Sequence, residues 1–268
     1  MNYEKIGMTG VYQAKKKDGT IYYRSSFTYQ NKHISLGSYE TALQAHNAYL
    51  QAQDLMANPS ASVYDYQANY DLSFEKWVVL NNLRDNNIYF STPIYVRKKY
   101  FSYYLDFNTE LKFSIDDLFY YASHKIMRRK GHLFVADYGM QVTILSRYGI
   151  KSYGIEGTDY IQLNGDPLDF RYENIQILNA YQGVSLTKHY GKLMYQARIH
   201  IRGNFIIGYF EDALTAAIAY NKAVDILHAN GYSKQYKQNY TEGITPSVYA
   251  DIYSHISIPE KIRNYSIV

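Results

Sequence analysis

The chain repeats itself. Gly10-Val11 leads into a lysine-rich stretch, then Tyr22-Tyr23-Arg24-Ser25-Ser26-Phe27, then His33-Ile34-Ser35-Leu36-Gly37-Ser38-Tyr39-Glu40-Thr41-Ala42-Leu43. Gly183-Val184 leads into Lys188, then Tyr195-Gln196-Ala197-Arg198-Ile199-His200-Ile201-Arg202-Gly203, then Phe205-Ile206-Ile207-Gly208-Tyr209-Phe210-Glu211-Asp212-Ala213-Leu214. From Gly37 and Gly208 onward the copies align without gaps. Glu40, Ala42, Leu43, Ala45, Ala48, Tyr49 and Ala52 match Glu211, Ala213, Leu214, Ala216, Ala219, Tyr220 and Ala223. A match this long points to one supersecondary unit built twice, and any fold for the chain has to hold both copies.

Each copy reads as strands followed by one helix. Residues 195–202 alternate, with Tyr195, Ala197, Ile199 and Ile201 on one face and Gln196, Arg198, His200 and Arg202 on the other. That is the period of a half-buried strand with a basic outer face. Gly203-Asn204 is a hairpin signal, and residues 205–210 form the returning strand. In the first copy, residues 23–29 and 33–39 do the same around Gln30-Asn31-Lys32. The helix then starts at Thr41, with Gln44 completing a capping box; in the second copy Asp212 is the cap. Ala42, Leu43, Ala45, Ala48, Tyr49 and Ala52 fall on one helical face, and their small size lets the helix lie close against a three-stranded sheet. The other face of the sheet is then free. A basic, tyrosine-bearing free face has the shape and charge to enter a DNA major groove, which admits a β-ribbon.

Charge supports that division. Residues 1–57 hold six Lys/Arg against four Asp/Glu, residues 58–179 thirteen against fourteen, and residues 180–240 seven against three. The net charge of +4 is therefore concentrated at the two repeats, as two polyanion-facing modules on a spacer would have it. With no cysteine, disulfides, thiolate zinc sites and a cysteine nucleophile are excluded. No run of eighteen apolar residues is present, and residues 1–10 lack a signal-peptide pattern, so the expectation is a cytoplasmic, nucleoid-associated protein without a membrane partner. The 33 tyrosines fit both an AT-rich coding sequence and a contact role.

Gly-Val, then Tyr-x-Ala-Arg-Ile, then Ile-Gly-Tyr-Phe, then Ala-Leu-x-Ala and Ala-Tyr resembles the Apetala-2/ERF DNA-binding domain, versions of which occur in bacterial and phage proteins and in plant transcription factors. The resemblance covers residues 6–57 and 182–232. It implies a three-stranded sheet entering the major groove of double-stranded DNA, with contacts from Lys15, Lys16, Lys17, Tyr23, Arg24, Lys32 and His33 in the first copy. In the second it implies contacts from Lys188, Lys192, Tyr195, Arg198, His200 and Arg202. Arg198 and Arg202 could donate bidentately to guanine. The first copy departs from the pattern at Ser25-Ser26, where the second has Ala197-Arg198.

Between the copies, Asn164-Gly165-Asp166-Pro167-Leu168-Asp169-Phe170-Arg171-Tyr172-Glu173-Asn174-Ile175 resembles the core of HNH homing endonucleases, and Gln141-Val142-Thr143-Ile144-Leu145-Ser146-Arg147 resembles the strand and helix start upstream of it. The match covers residues 131–180. An HNH nuclease needs a histidine base and ligands for a divalent metal. Gln162 stands at the base position, Phe170 at the central asparagine and Ser146 at the upstream histidine. Asp159, Asp166, Asp169 and Glu173 remain, as residues that also cap and form turns. His124, His132, His33, His46, His189, His200, His228 and His255 make no His-Glu-x-x-His spacing. The reading is therefore not an enzyme, with no catalytic residue, metal or cofactor assigned.

Ser114, the acidic pair Asp116-Asp117 and the basic run Arg128-Arg129-Lys130 before Gly131 predict one helix over residues 114–130. The expected architecture is α+β, with two small three-stranded antiparallel sheet plus helix modules flanking a central ββα-type HNH-like domain. The divisions are 1–57, a helical and aromatic linker region 58–130, 131–180, 181–240 and a tail 241–268. The expected function is non-catalytic, sequence-preferring duplex-DNA binding, as a transcriptional regulator derived from a mobile-element nuclease. Its rivals are an active metal-dependent nicking enzyme and a protein-interaction module.

Overall fold

In the computed structural model, which describes residues 4–5, 7–151 and 154–265, both repeats form antiparallel sheets. The first is β1 (Glu4–Lys5), β2 (Val11–Lys15), β3 (Ile21–Tyr29) and β4 (Lys32–Tyr39), in that order. Gln30 and Asn31 turn β3 into β4 at left-handed φ values of 47° and 63°, a turn whose twist matches that of the strands it joins. α1 (Ala42–Ala57) follows. Thr41 Oγ1 accepts from the Gln44 amide, and Gln44 Oε1 accepts from the Thr41 amide, each at 3.2 Å. The capping box thus satisfies two donors that a helix start leaves open. Ala45, Ala48 and Ala52 are fully buried against the sheet.

The core under α1 does not stop at residue 57. α2 (Phe74–Asn86) brings Trp77, Leu80 and Leu83 against Ile34, Leu36, Ala52 and Leu55. The expected linker is therefore ordered. Its aromatic residues look like linker composition along the chain, but Tyr66 packs on Phe74 at 5.2 Å and on Trp77 at 6.0 Å, and the Trp77 indole donates to Ser62 O at 3.0 Å. β5 (Ile94–Val96), β6 (Tyr100–Asp106) and β7 (Thr109–Ser114) then form an antiparallel meander.

The helix expected over residues 114–130 is short. A 3-10 turn, Ile115–Asp117, runs into α3 (Leu118–Ser123), and the chain then becomes β8 (Ile126–Arg129), β9 (His132–Asp137) and β10 (Met140–Thr143). Lys130 and Gly131 turn at φ 49° and 81°, and buried Ile126 faces buried Val135 across the hairpin. The basic run that suits a helix end suits an exposed hairpin equally well, and Arg128 there pairs with Asp106 at 3.2 Å.

The centre is not a ββα unit. Among the described residues no α-helix lies between Ser123 and Ala213. Residues 144–177 hold a 3-10 turn, Ile144–Tyr148, then β11 (Tyr160–Gln162), β12 (Asp169–Phe170), another 3-10 turn and β13 (Ile175–Ile177). β11 pairs with β13, but β12 joins β7 in parallel, extending that sheet to the order β12-β7-β6-β5. The chain accordingly divides into two units, residues 1–142 with 166–172, and residues 143–165 with 173–268. Phe170 explains the division. It stacks on Phe113 at 5.6 Å, within a cluster that includes Phe101 and Tyr121, so residues 166–172 are drawn into the first unit's apolar core.

The second repeat forms β14 (Val184–His189), β15 (Lys192–His200) and β16 (Asn204–Phe210), then α4 (Ala213–Ala229) with Asp212 as cap. Residues 241–265, the described part of the expected tail, pack on the second module. α5 (Pro246–His255) and α6 (Glu260–Arg263) follow α4, and Ile256, Ile258 and Ile262 are buried with Val224 and Leu227. Lys222 on α4 donates to the carbonyls of Tyr253 and Ile256 at 2.6 and 2.7 Å, taking up the C-terminal carbonyls of α5. The overall class is α+β, with several small sheets and six α-helices among the described residues.

Candidate nucleic-acid interface

The two repeats share a strand register around one irregularity, although their hairpins differ in length. In each, the middle and last strands shift register at one point, between Ser25 and Ser26 and between Ala197 and Arg198. At that point the Ser26 amide donates to Gly10 O at 2.9 Å, and the Arg198 amide donates to Gly183 O at 2.7 Å. Gly10 and Gly183 hold φ of 76° and 72°, and a Cβ on either would run into the ring of Tyr49 or Tyr220 on the helix behind. This close approach is why Gly-Val and Ala-Tyr recur together in the sequence.

The register sets which side chains face solvent. In the second module Val184, Ala197, Ile199 and Ile207 are buried toward α4. On the opposite face lie His189, Lys192, Met194, Gln196, Arg198 and His200, with Ile206 and Tyr209 from β16. His189 stacks on Tyr209 with ring centroids 3.6 Å apart, and Gln196 Nε2 donates to the Tyr209 hydroxyl at 2.9 Å. No carboxylate belongs to this face, and the Arg198 guanidinium and Lys192 ammonium have no ion-pair or hydrogen-bond partner among the described residues.

The residues expected to contact DNA divide as follows. Lys192, Arg198 and His200 share the open face. Arg202 does not, because β15 ends at His200; Arg202 sits in the turn at φ 54°, beside the Ile201 amide that donates to Gly203 O at 2.8 Å. Tyr195 lies on the helix side and packs against the core, and Lys188 shares that side at the exposed strand end. In the first module Arg24 and His33 fall on the open face, whereas Tyr23 alternates to the helix side with Ser25 and Phe27. Lys32 is turned onto the Tyr89 ring, 4.2 Å from its centroid. Lys15 ends β2 on the Tyr23 side, and Lys16 and Lys17 lie in the following loop, where Asp18 accepts from the Thr20 amide at 2.9 Å. Strand parity, visible for Tyr195 in the alternation of residues 195–202, separates the tyrosines from the cations.

Several members of the open face escaped sequence reasoning. His189, Met194, Ile206 and Tyr209 could have been found by carrying the strand alternation through all three strands. Lys151, Lys234 and Lys237 could not, because they come from outside the repeat. They reach its edge beside Gly183, Arg198 and His200, where Tyr236 Oη and Lys234 Nζ both donate to His200 O, at 2.8 and 3.2 Å.

The nuclease-like positions have structural occupations. Gln162 is buried in β11 of the second unit, and Phe170 belongs to the aromatic core of the first. Ser146 Oγ donates to Thr143 O at 2.7 Å. Asp169 is fully buried and paired with Arg171 at 2.6 Å. Asp166 meets Lys112 at 2.8 Å, and this hydrogen bond holds its carboxyl below the usual carboxylate range. Asp159 pairs with Lys151 at 2.8 Å and accepts from Asn179 at 3.1 Å. Among the described residues no group of three or more His, Asp or Glu is placed to hold a metal ion. No helix of the described residues is long and apolar enough to cross a membrane. No family model, curated protein or solved structure matches this chain.

Proposed function

We propose that the chain binds duplex DNA through the open face of β14, β15 and β16, without a catalytic step of its own, and acts as a sequence-preferring regulator. One observation carries this reading: Lys192 and Arg198 stand on a three-stranded face that bears no carboxylate, and neither has a protein partner among the described residues. Unpaired cations on a ribbon narrow enough for a major groove favour a polyanion, since each phosphate they neutralise releases counterions. The His189–Tyr209 stack adds a rigid apolar and polar surface at the same face. A regulatory rather than a cleaving role rests on Gln162, Phe170 and Ser146 at the nuclease-like positions, since a neutral amide, a core phenyl ring and a hydroxyl cannot supply a histidine base. Descent from a mobile-element nuclease rests on the Asn164–Ile175 resemblance alone.

The test is selection from a random duplex pool at two salt concentrations, with and without magnesium. The expected result is an enriched motif with intact ends and binding that weakens steeply with salt. No enrichment at either salt overturns DNA binding and favours a protein partner. Enrichment with magnesium-dependent cutting overturns the non-catalytic reading.

A further inference from the structure

The edge of β14 carries a cavity that both modules share in frame but not in charge. In the second module its back is Gly183 against Tyr220, and its open side runs past Arg198 and His200. The chain after α4 supplies its other wall. That segment is tied at one end by the donations from Lys234 and Tyr236 to His200 O. At the other end Asn239 Oδ1 accepts from the Gln182 amide at 2.6 Å, Asn239 Nδ2 donates to Gln182 O at 3.0 Å, and the Asn239 amide donates to Asn221 Oδ1 at 2.7 Å. The wall is therefore fixed, and it brings Lys234 and Lys237 into the same lining as Arg198 and His200. Lys151 also lines the cavity, with its ammonium on Val184 O at 3.0 Å and its charge answered by Asp159.

No carboxylate lines this cavity among the described residues. Arg198 and Lys237 have no partner for their charges there. Two cations without partners in the lining of one carboxylate-free cavity favour an anion as its occupant.

The first module supplies the internal control. Its corresponding cavity lies between Gly10 and Tyr49 and is lined by Met8, Thr9, Tyr12, Ser26 and Thr28. Ser26 stands where Arg198 does and Thr28 where His200 does, by the matching register shifts. Among the described residues no charged side chain lines it. The same fold forms without the cations, so folding does not require them.

We infer that the cavity of the second module is a phosphate-binding site, absent from the first, and that its occupant is a backbone phosphate of DNA lying on the adjoining sheet face. The phosphate chemistry rests on the cavity; its source rests on the function proposed above. Arg198 and His200 belong to both surfaces, which places a phosphate held here in line with a duplex on the open face.

The test uses the full chain and the variants Lys237→Gln and Lys234→Gln, which change the cavity wall and leave the sheet face intact, with Lys192→Gln as the sheet-face control. Thermal unfolding is followed with inorganic phosphate against chloride of equal ionic strength. Duplex-DNA affinity is followed against salt. Phosphate should raise the unfolding temperature of the wild type and of Lys192→Gln more than chloride does, and Lys237→Gln should lose this gain. Lys237→Gln should also bind duplex DNA roughly three- to tenfold more weakly, with a salt slope smaller by about one. If the wild type binds DNA, phosphate stabilises it no more than chloride does and both wall variants keep its slope, the cavity is not a phosphate site and the DNA reading survives; if phosphate does stabilise it but both variants keep the slope, the site stands with free phosphate, not DNA, as its source. If phosphate stabilises the wild type, not Lys237→Gln, and DNA does not bind, the site stands with free phosphate as its source and the DNA reading fails. If neither binds, both fail.

Discussion

The first module covers α1 with α2, inserted directly after it, and the second covers α4 with α5 and α6 from the chain's end. The sheets beneath share their glycine, tyrosine and register shift, yet they expose different chemistry. Around the cavity the first shows Tyr12, Ser26 and Thr28, while the second shows Arg198, His200, Lys234 and Lys237. Three lysines of the first module lie instead at the end of β2 and in the loop after it, where Asp18 follows Lys15, Lys16 and Lys17. The difference teaches that the repeated residues are those that hold the helix on the sheet. The residues that would meet a partner have been free to diverge.

The largest effect is expected at the shared glycines. Gly183→Ala forces a Cβ toward both the Tyr220 ring and the Arg198 carbonyl, the latter at 2.6 Å, whereas the three atoms nearest a Cβ on Gly10 all belong to the Tyr49 ring. A ring can turn and a strand carbonyl cannot. Gly183→Ala should cost about 3–4 kcal/mol and Gly10→Ala about 1–2 kcal/mol, both including the left-handed backbone term. Urea titration of the two variants checks this, and equal losses would mean the two glycine–tyrosine contacts are equally rigid.

Next in size is the contrast in DNA affinity. Arg198→Ala should weaken duplex binding by about tenfold to a hundredfold, the range of 1–3 kcal/mol for a lost arginine contact. Arg24→Ala, on the corresponding face of the first module, should change it by less than about threefold. Fluorescence anisotropy with the selected duplex measures both, and a larger loss at Arg24 would reverse the assigned division of labour. A smaller gain follows from Thr28→Lys, which puts a cation at the His200-equivalent edge of the neutral cavity. The salt slope should steepen by about one, and an unchanged slope would show that the first module lies away from the DNA.

The smallest effect is a pH response in the first module alone. The Thr20 amide, then the Thr20 hydroxyl, hold the Asp18 carboxyl below the usual carboxylate range. A depressed value means that this contact is complete above the ordinary aspartate value of about 3.9 and is lost as pH falls through the lowered one. Exchange of the Thr20 amide should therefore accelerate on acidification below about pH 4 relative to its intrinsic rate. The corresponding hairpin of the second module turns at Tyr190 and Gly191 without a carboxylate, and its amides should not respond.

Much of this was legible locally. Thr41 with Gln44, Asp212 with Thr215, and the alternation of Ala197, Arg198, Ile199 and His200 identify helix starts and a half-buried strand because each depends on residues a few positions apart. The same locality misled over residues 114–130. There a charge order suited to a helix coexists with an Ile126–Val135 cross-strand pair that is apparent only once the hairpin closes. Tyr23 and Tyr195 show the limit at the candidate site. Their residue type suggested contact, and strand parity turned both inward.

By itself the sequence determined the two repeat modules, their caps, their hairpins and the basic character of the second open face, since all of these follow from short-range periodicity and turn chemistry. Only the tertiary structure decided that β12 leaves the nuclease-like stretch for the first unit, because burying Phe170 among Phe113, Phe101 and Tyr121 is a long-range apolar gain with no local signature. It also decided that Lys151, Lys234 and Lys237 gather beside Arg198. Those cations come from separate stretches of chain, and no spacing along a strand or helix relates them.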